Sequence, residues 1–128
     1  MTIVTIERAL SLRPEHARAI LFQGKNVENR TWLPNAKHWG SRIAVHSAGP
    51  DYAILGTVRI VGAIDADGRR YGPITATQAR IALRSHWYGE CDYGWLLADP
   101  IVLPVPIRPV KGRLQLWTLP AEITAALR

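Results

Sequence analysis

Residues 23–32 read Gln23-Gly24-Lys25-Asn26-Val27-Glu28-Asn29-Arg30-Thr31-Trp32, and they directly follow the pattern of a short helix. If Asn26 to Trp32 is a strand, its side chains alternate between two faces, so that Glu28, Arg30 and Trp32 lie on the same one. Lys25 precedes the strand at the turn, and its long stem can bring its charge over that face. Charged and aromatic groups then share one surface, which suits a flat, polar, partly anionic ligand.

The segments that flank this stretch predict a strand, a helix and a loop. Residues 5–12 read as a short strand, and Pro14 then favours the first turn of a helix that ends at Gly24. The Pro, Asn and Gly content of residues 33–40 is typical of a loop.

A second strand, predicted over residues 41–48, carries three candidate site residues. Its aliphatic residues alternate toward the core, so Arg42 and His46 fall on the opposite face. A histidine on such a face can act as a general acid or base in RNA cleavage, or it can hold a hydrogen-bonded structural position. The adjacent Ser47 is a candidate phosphate ligand.

The rest of the chain alternates between strand and helix signals without a regular order. Four prolines between residues 100 and 109 indicate only edge or irregular strands there. The pattern as a whole predicts an α+β domain with a mostly antiparallel sheet, and closure into a small barrel would remove exposed edges. The further predicted elements are a strand over 53–64, a helix over 75–85, a strand over 114–117 and a helix over 120–128.

The net charge of +6 comes from thirteen arginines and three lysines against ten acidic residues, with a pI of about 10.1. A basic balance of this size favours polyanionic partners, because each neutralised phosphate releases counterions. The arginines are scattered along the chain, which indicates a folded basic surface and not a disordered tail.

A chain of 128 residues is expected to form a single domain over residues 1–128 that needs no disulfide or metal to fold. The single Cys91 agrees with a reducing, cytoplasmic setting. The amino-terminal sequence lacks the basic and long apolar regions of a signal peptide, and no window is long enough to span a bilayer. We expect no metal, no cofactor and no membrane association, and the oligomeric state stays open.

Several segments, taken in order, resemble the ASCH domain (activating signal cointegrator homology). The resemblance begins with the helix that ends at Gly24 and with the Lys25-x-x-Glu28-x-Arg30-x-Trp32 element that follows it. It covers nearly the whole chain. The other segments that carry it are Ala9 to Pro14, Trp39-Gly40 before Ile43 to Ala48, Ile54-Leu55-Gly56, Tyr93-Gly94-Trp95, Pro104-x-Pro106, Lys111-Gly112 and Leu116-Trp117.

The ASCH domain is a branch of the PUA-like superfamily, so the resemblance implies a five- or six-stranded β-barrel flanked by two or three short helices. It also implies a cleft beside the Lys-x-x-Glu-x-Arg element that binds RNA or another nucleic acid. Some small bacterial relatives resemble ribonucleases, and one group deacylates N4-acetylcytidine with a Lys, a Thr and a Glu. Lys25 matches that lysine, whereas Glu28 stands where the deacylases have their threonine.

The three charged residues of the element have distinct expected roles. Arg30 can grip a phosphate or a base edge bidentately, and Lys25 acts as a point charge. Glu28 accepts a hydrogen bond from an exocyclic amine or orients Arg30; in an enzyme it is the general base, with Lys25 stabilising negative charge. The structural alternative is a surface ion-pair ladder that contributes only ~0–1 kcal/mol.

Trp32 and Trp95 are the candidates for base stacking, because each flanks a segment of the motif. Stacking on an aromatic side chain is worth about 1–3 kcal/mol per base. Burial in the core is the alternative for both rings. Lys111 either lines the same cleft or belongs to an ordinary turn.

Three functions remain open from the sequence. The first is a module that binds single-stranded or modified RNA, or another nucleic acid. The second is a small hydrolase acting on RNA or on an N4-acylated cytidine nucleoside, with Lys25, Glu28 and His46 as catalytic candidates. The third is a protein-interaction domain without nucleic acid. We rank the binding module first and the hydrolase second.

Overall fold

The structure is a computed structural model, and it describes residues 5–89 and 91–128. Within these residues the chain forms seven strands and three α-helices, with one 3-10 turn at Ala36–His38. The strands are β1 (Arg8–Leu12), β2 (Val27–Arg30), β3 (Arg42–Ser47), β4 (Ala53–Asp65), β5 (Arg70–Tyr71), β6 (Tyr93–Ile107) and β7 (Leu116–Thr118), and the helices are α1 (Pro14–Phe22), α2 (Ala76–Arg84) and α3 (Ala121–Ala126).

The sheet has the strand order β2-β6-β4-β3-β1-β7, and β5 pairs with β4. Strands β1 and β3 are parallel, whereas β1 with β7, β2 with β6 and β4 with β5 are antiparallel. The α+β class with a mostly antiparallel sheet and three short helices is therefore confirmed. No helix in the described ranges is both long and apolar enough to cross a bilayer.

The chain divides into two compact units, each built from separate segments. The first unit contains the chain up to Gln23, Arg42–Val58 and Pro100–Arg128, and the second contains Gly24–Ser41 and Arg59–Asp99. Each unit has its own apolar cluster. The first is centred on Ile6, Ala9, Ala44, Ile54, Val110, Trp117 and Leu119, and the second on Val27, Ile64, Ile74, Ala79, Ala82 and Leu96. The expectation of one domain over residues 1–128 stays a prediction.

The helix boundaries follow the local signals in the sequence. Helix α1 begins at Pro14, and Gly24, with φ at +72°, lies two residues beyond its last residue. Helix α2 begins after Thr75, whose hydroxyl accepts a hydrogen bond from the Gln78 backbone N–H at 3.1 Å. The Gln78 side chain accepts in return from the Thr75 N–H at 2.8 Å, which completes a capping box.

Strand β6 contains most of the proline-rich region, because residues 93–107 form one strand. Its register with β2 runs from Tyr93 to Leu96, before the first proline, and Asp99 has a φ of +53°. These features agree with the edge or irregular strand that the prolines predict. Pro100, Pro104 and Pro106 lie at alternate positions of that strand. Residues of the same parity direct their backbone groups toward the same edge, so the missing N–H groups all fall on one edge. The other edge keeps its donors for the sheet, and this allows a strand to contain three prolines.

Strand β3 differs from the prediction, because its residues Ile43–Ser47 are all buried. The alternation indicated one apolar and one solvent-facing side, with His46 on the latter. Strand β3 instead lies between β4 and β1, and His46 and Ser47 have no exposed surface. The predicted exposure of His46 is therefore wrong.

Candidate functional site

Lys25, Glu28 and Arg30 meet in the second unit and form a cluster of three charges. The Lys25 ammonium lies 2.9 Å from Glu28 Oε1, and Arg30 Nε donates to Glu28 Oε2 at 2.9 Å. Each oxygen of the carboxylate therefore contacts a different cation. The three side chains therefore lie together, as the sequence predicts. We call Lys25, Glu28 and Arg30 the charge cluster.

The charge cluster is largely withdrawn from solvent. The side chains of Lys25 and Glu28 are 4% and 7% exposed, whereas that of Arg30 is 22% exposed. The surface ion-pair ladder that the sequence left open is therefore excluded. Arg30 is therefore the member of the cluster with the most solvent-accessible side chain.

Local backbone structure accounts for the convergence. Glu28 and Arg30 are two residues apart on β2, so their side chains lie on the same face of the strand. Strand β2 pairs antiparallel with β6, where Glu28 lies opposite Trp95 and Arg30 opposite Tyr93. Lys25 precedes the strand, and its side chain returns to the carboxylate three residues further on.

The tryptophans next to the charge cluster are mostly structural. Trp95 has no exposed surface, and its indole N–H donates to the Trp32 carbonyl at 3.1 Å. Its ring meets those of Trp32 and Trp39 edge to face, with centroid distances of 4.8 Å and 6.1 Å. The prediction that Trp95 stacks on a base is therefore wrong, because a ring sealed in the core offers no face to a ligand.

Trp32 lies beyond the last residue of β2 and not within the strand, as the alternation assumed. It is half-buried, so part of its surface is accessible from solvent. Its proposed stacking on a base stays a prediction.

His46 belongs to a buried hydrogen-bond network in the first unit. Its Nε2–H donates to the Val110 carbonyl at 2.6 Å, since a carbonyl can only accept, and its Nδ1 lies 3.0 Å from Ser11 Oγ. The Trp117 indole N–H donates to the same hydroxyl at 3.0 Å. Both ring nitrogens have hydrogen-bond partners and the ring is fully buried. His46 therefore holds the hydrogen-bonded structural position that the sequence left open, and not the role in acid–base catalysis.

Ser47 is similarly withdrawn from ligands. Its hydroxyl donates to Asp51 Oδ2 at 2.6 Å, and Arg18 contacts the same oxygen at 2.7 Å. The Arg18 hydrogen bond, followed by that of Ser47, holds the pKa of the Asp51 carboxyl below its ordinary value of 3.8. The prediction that Ser47 binds a phosphate is therefore wrong.

The two remaining candidates also lie in the first unit, separate from the segments that carry the charge cluster. Arg42 is half-buried, and its Nη1 donates to Thr57 Oγ1 at 3.1 Å. Lys111 is exposed on the loop before β7, beside a cavity of about 310 Å³. Their roles in binding stay predictions.

Sequence reasoning assigned no role to Ser11 and did not predict its close contact with Gly112. A Cβ added to Gly112 would lie 2.4 Å from Ser11 Oγ and 2.6 Å from His46 Cε1, so the loop approaches the network too closely for a side chain. These contacts join residues that are far apart in the chain, so no local sequence pattern predicts them. Among the described residues, no group of three His, Cys, Asp or Glu side chains is placed to hold a metal ion.

Comparison with solved structures finds proteins of similar fold. The chain is similar to the crystal structure of ASCH from Zymomonas mobilis, at 23% identity and a TM-score of 0.52, covering 94% of this chain and 92% of that chain. A serine-to-alanine mutant of that protein gives 22% identity and a TM-score of 0.60, with 94% and 92% covered. A tyrosine-to-phenylalanine mutant gives 23% and 0.53, with 94% of both chains covered.

No family model and no curated protein match the sequence. The solved structures therefore establish the fold alone. The ASCH-type fold that the sequence resemblance implies is therefore confirmed, although the described residues form a seven-stranded sheet where five or six strands are expected.

Proposed function

We propose that this protein of ASCH-type fold is a nucleic-acid-binding domain that takes single-stranded or modified RNA at the charge cluster, in the cytoplasm. Arg30 contacts a phosphate or the edge of a base, and Glu28 holds the guanidinium in position. Lys25 contributes positive charge from behind the carboxylate. Trp32 offers its accessible surface to a base.

The observation that carries the proposal is the balance of charge within the cluster. Two formal positive charges contact one negative charge, at 2.9 Å each, and two of the three side chains are less than 8% exposed. Taking ions out of water is costly, and a pair of well-packed apolar residues would usually stabilise a fold as well or better. A partly exposed guanidinium held in position by a buried carboxylate suits an anionic ligand that arrives at the solvent side of Arg30.

The charge of the whole chain supports the same class of ligand. A formal net charge of +6 creates a field that attracts polyanions, and it makes binding sensitive to salt. An ASCH-type fold is consistent with this function but does not establish it, because one fold can serve several functions.

A small hydrolase is the second candidate, and the Lys25–Glu28 contact is the observation in its favour. A buried carboxylate at 2.9 Å from an ammonium group can serve as a general base beside a cation that stabilises developing negative charge. The substrate would be RNA or an N4-acylated cytidine nucleoside. With His46 sealed in its own network, the catalytic pair reduces to Lys25 and Glu28.

Fluorescence anisotropy with labelled single-stranded RNA tests the proposed function. We expect binding at micromolar protein that weakens steeply as salt rises, and Arg30→Ala should weaken it about tenfold or more. Arg84→Ala is the matched control, since this exposed arginine lies in the last turn of α2 and should alter binding little. Absence of salt-sensitive binding to every single-stranded oligonucleotide would refute the proposal.

The hydrolase alternative is tested by incubating the same protein with labelled RNA and with N4-acetylcytidine. Lys25→Met and Glu28→Gln, checked for folding by circular dichroism, should both abolish any turnover if the pair is catalytic. Turnover that is unchanged in both variants would point to a contaminant or to another site.

A further inference from the structure

We infer that the first unit carries a second nucleotide-binding surface, formed by Tyr52 and by the segment Val110–Leu114, which we call the basic loop. This inference rests on the proposed function and names the ligand more closely. It makes the ligand a polynucleotide strand and not a free nucleoside, because a strand can supply a phosphate and a base to a second surface.

The surface is a shallow cavity of about 310 Å³. Lys111, Arg113 and Leu114 of the basic loop line it together with Tyr52, as do the half-buried Ser11 and the buried His46. No acidic residue is among the described residues that line it. Two cations without a competing carboxylate provide an electrostatic environment that suits a phosphate.

The exposed groups around the cavity combine charge with apolar surface. Lys111 and Arg113 are exposed, Tyr52 is 52% exposed and Leu114 is 91% exposed. An aromatic ring with an accessible surface can stack on a base, and cations next to it can contact the flanking phosphate. An acidic peptide would use the two cations but would gain nothing specific from the ring, so a nucleotide fits this set of groups better.

Hydrogen bonds of the first unit, separate from those of the charge cluster, hold the cavity in place. His46 Nε2–H donates to the Val110 carbonyl at 2.6 Å, and the Val110 N–H donates to the Tyr52 carbonyl at 2.7 Å. The same residue therefore connects the basic loop to the histidine below and to the tyrosine beside it. Gly112 lies directly against Ser11 and His46, which fixes the backbone between the two cations.

Tyr52 itself has an unusual backbone conformation, with φ at +45°. A tyrosine seldom adopts this left-handed region, because its Cβ crowds the neighbouring backbone. Such conformations persist where the surrounding structure holds them, and they occur often at ligand-binding positions. The Tyr52 ring also packs over Gly49, where an added Cβ would lie 2.6 Å from the hydroxyl oxygen.

A larger groove of about 540 Å³ lies against the same loop, and Glu122 and Ile123 contribute to its lining. Lys111 and Arg113 line both cavities, but the larger one adds the Glu122 carboxylate, which repels a phosphate, whereas no acidic residue is among the described residues that line the Tyr52 cavity. We therefore place the nucleotide in the Tyr52 cavity.

The test compares RNA binding by three variants of the full chain. Binding is measured by fluorescence anisotropy with a fluorescein-labelled oligouridine about 12 nucleotides long. Lys111→Ala/Arg113→Ala should weaken binding about tenfold or more and reduce the slope of log K against log salt by roughly 1–2. Tyr52→Leu should weaken binding roughly 5- to 100-fold through loss of stacking. Lys37→Ala/Arg69→Ala, which removes two exposed cations of the second unit, is the matched control and should bind like wild type.

The outcomes separate this inference from the proposed function. If Arg30→Ala weakens binding but the basic-loop and Tyr52 variants bind like wild type, the second surface is refuted and the proposed function stands. If the wild-type protein binds no oligonucleotide, both fail. Polyglutamate could instead bind this surface through Lys111 and Arg113. If it does so while the Lys111→Ala/Arg113→Ala variant still binds RNA like wild type, the surface takes an acidic protein and the inference is overturned. Thermal unfolding of each variant near that of wild type confirms that the fold is intact.

Discussion

Glu28→Ala is expected to destabilise the protein by about 3–5 kcal/mol, the usual cost of removing one partner from a buried ion pair. The carboxylate contacts Lys25 and Arg30 at 2.9 Å each, and the Lys25 side chain is 4% exposed. Without Glu28, the buried ammonium faces a guanidinium of like charge. Globular proteins have roughly 0.05–0.15 kcal/mol of stability per residue, so for this chain length the loss is a third or more of a total on the order of 10 kcal/mol.

A paired replacement separates the structural cost from the functional role. Lys25→Met/Glu28→Met substitutes two apolar side chains of comparable length for the ion pair, and we expect it to recover stability to within about 1–2 kcal/mol of wild type. The same variant should lose RNA binding, because the carboxylate that holds the Arg30 guanidinium in position is gone.

Urea denaturation followed by tryptophan fluorescence gives these free energies of unfolding, with the m-value as a check that the transition is unchanged in kind. Asp99→Asn is the control, since the Arg59–Asp99 pair is 3.4 Å long and its side chains are 48% and 60% exposed. It should change stability by less than about 1 kcal/mol. A Glu28→Ala variant equally close to wild type would refute the reasoning, since it would mean that the buried cations do not depend on the carboxylate.

Three further predictions concern the two units separately. The folded pKa of Asp51 lies below its ordinary 3.8, so the stabilising contribution of the carboxylate is present above that pH and is lost as pH falls through the folded pKa. The urea midpoints of wild type and Asp51→Asn should therefore converge toward a pH of about 2. Midpoint curves that stay parallel across this pH range would contradict the prediction. Gly56→Ala should cost about 1–3 kcal/mol in thermal unfolding, because the added Cβ would lie 2.3 Å from the Ile101 carbonyl oxygen, and an unchanged melting temperature would argue against that contact. Trp95→Ala should cost about 3–5 kcal/mol in urea denaturation through loss of a fully buried ring, whereas a cost below about 1 kcal/mol would place the ring at the surface.

Local signals in the sequence were sufficient for most elements. Pro14 and Thr75 mark the starts of α1 and α2, and the spacing of Glu28 and Arg30 places their side chains together. Each of these features depends on residues within one turn of helix or on neighbouring positions in a strand. Physical rules of short range therefore predict them well.

The sequence predictions fail where contacts between distant parts of the chain determine whether a side chain is buried. Alternation assumes that one face of a strand meets water, yet consecutive residues of β3 are buried on both faces, and its polar His46 contacts a carbonyl 64 residues away. Whether a tryptophan is core or ligand surface likewise depends on packing, and Trp95 is sealed by two other indoles.

The proposed function depends most directly on Arg30, whose Nε–H donates to Glu28 and gives a distinct signal in a ¹H–¹⁵N correlation spectrum. Titration with single-stranded RNA should shift this signal in a saturable way, and the shift should be absent in the Lys25→Met/Glu28→Met variant. Saturable shifts of backbone amides elsewhere, with the Arg30 Nε–H signal unmoved, would contradict a ligand at the charge cluster.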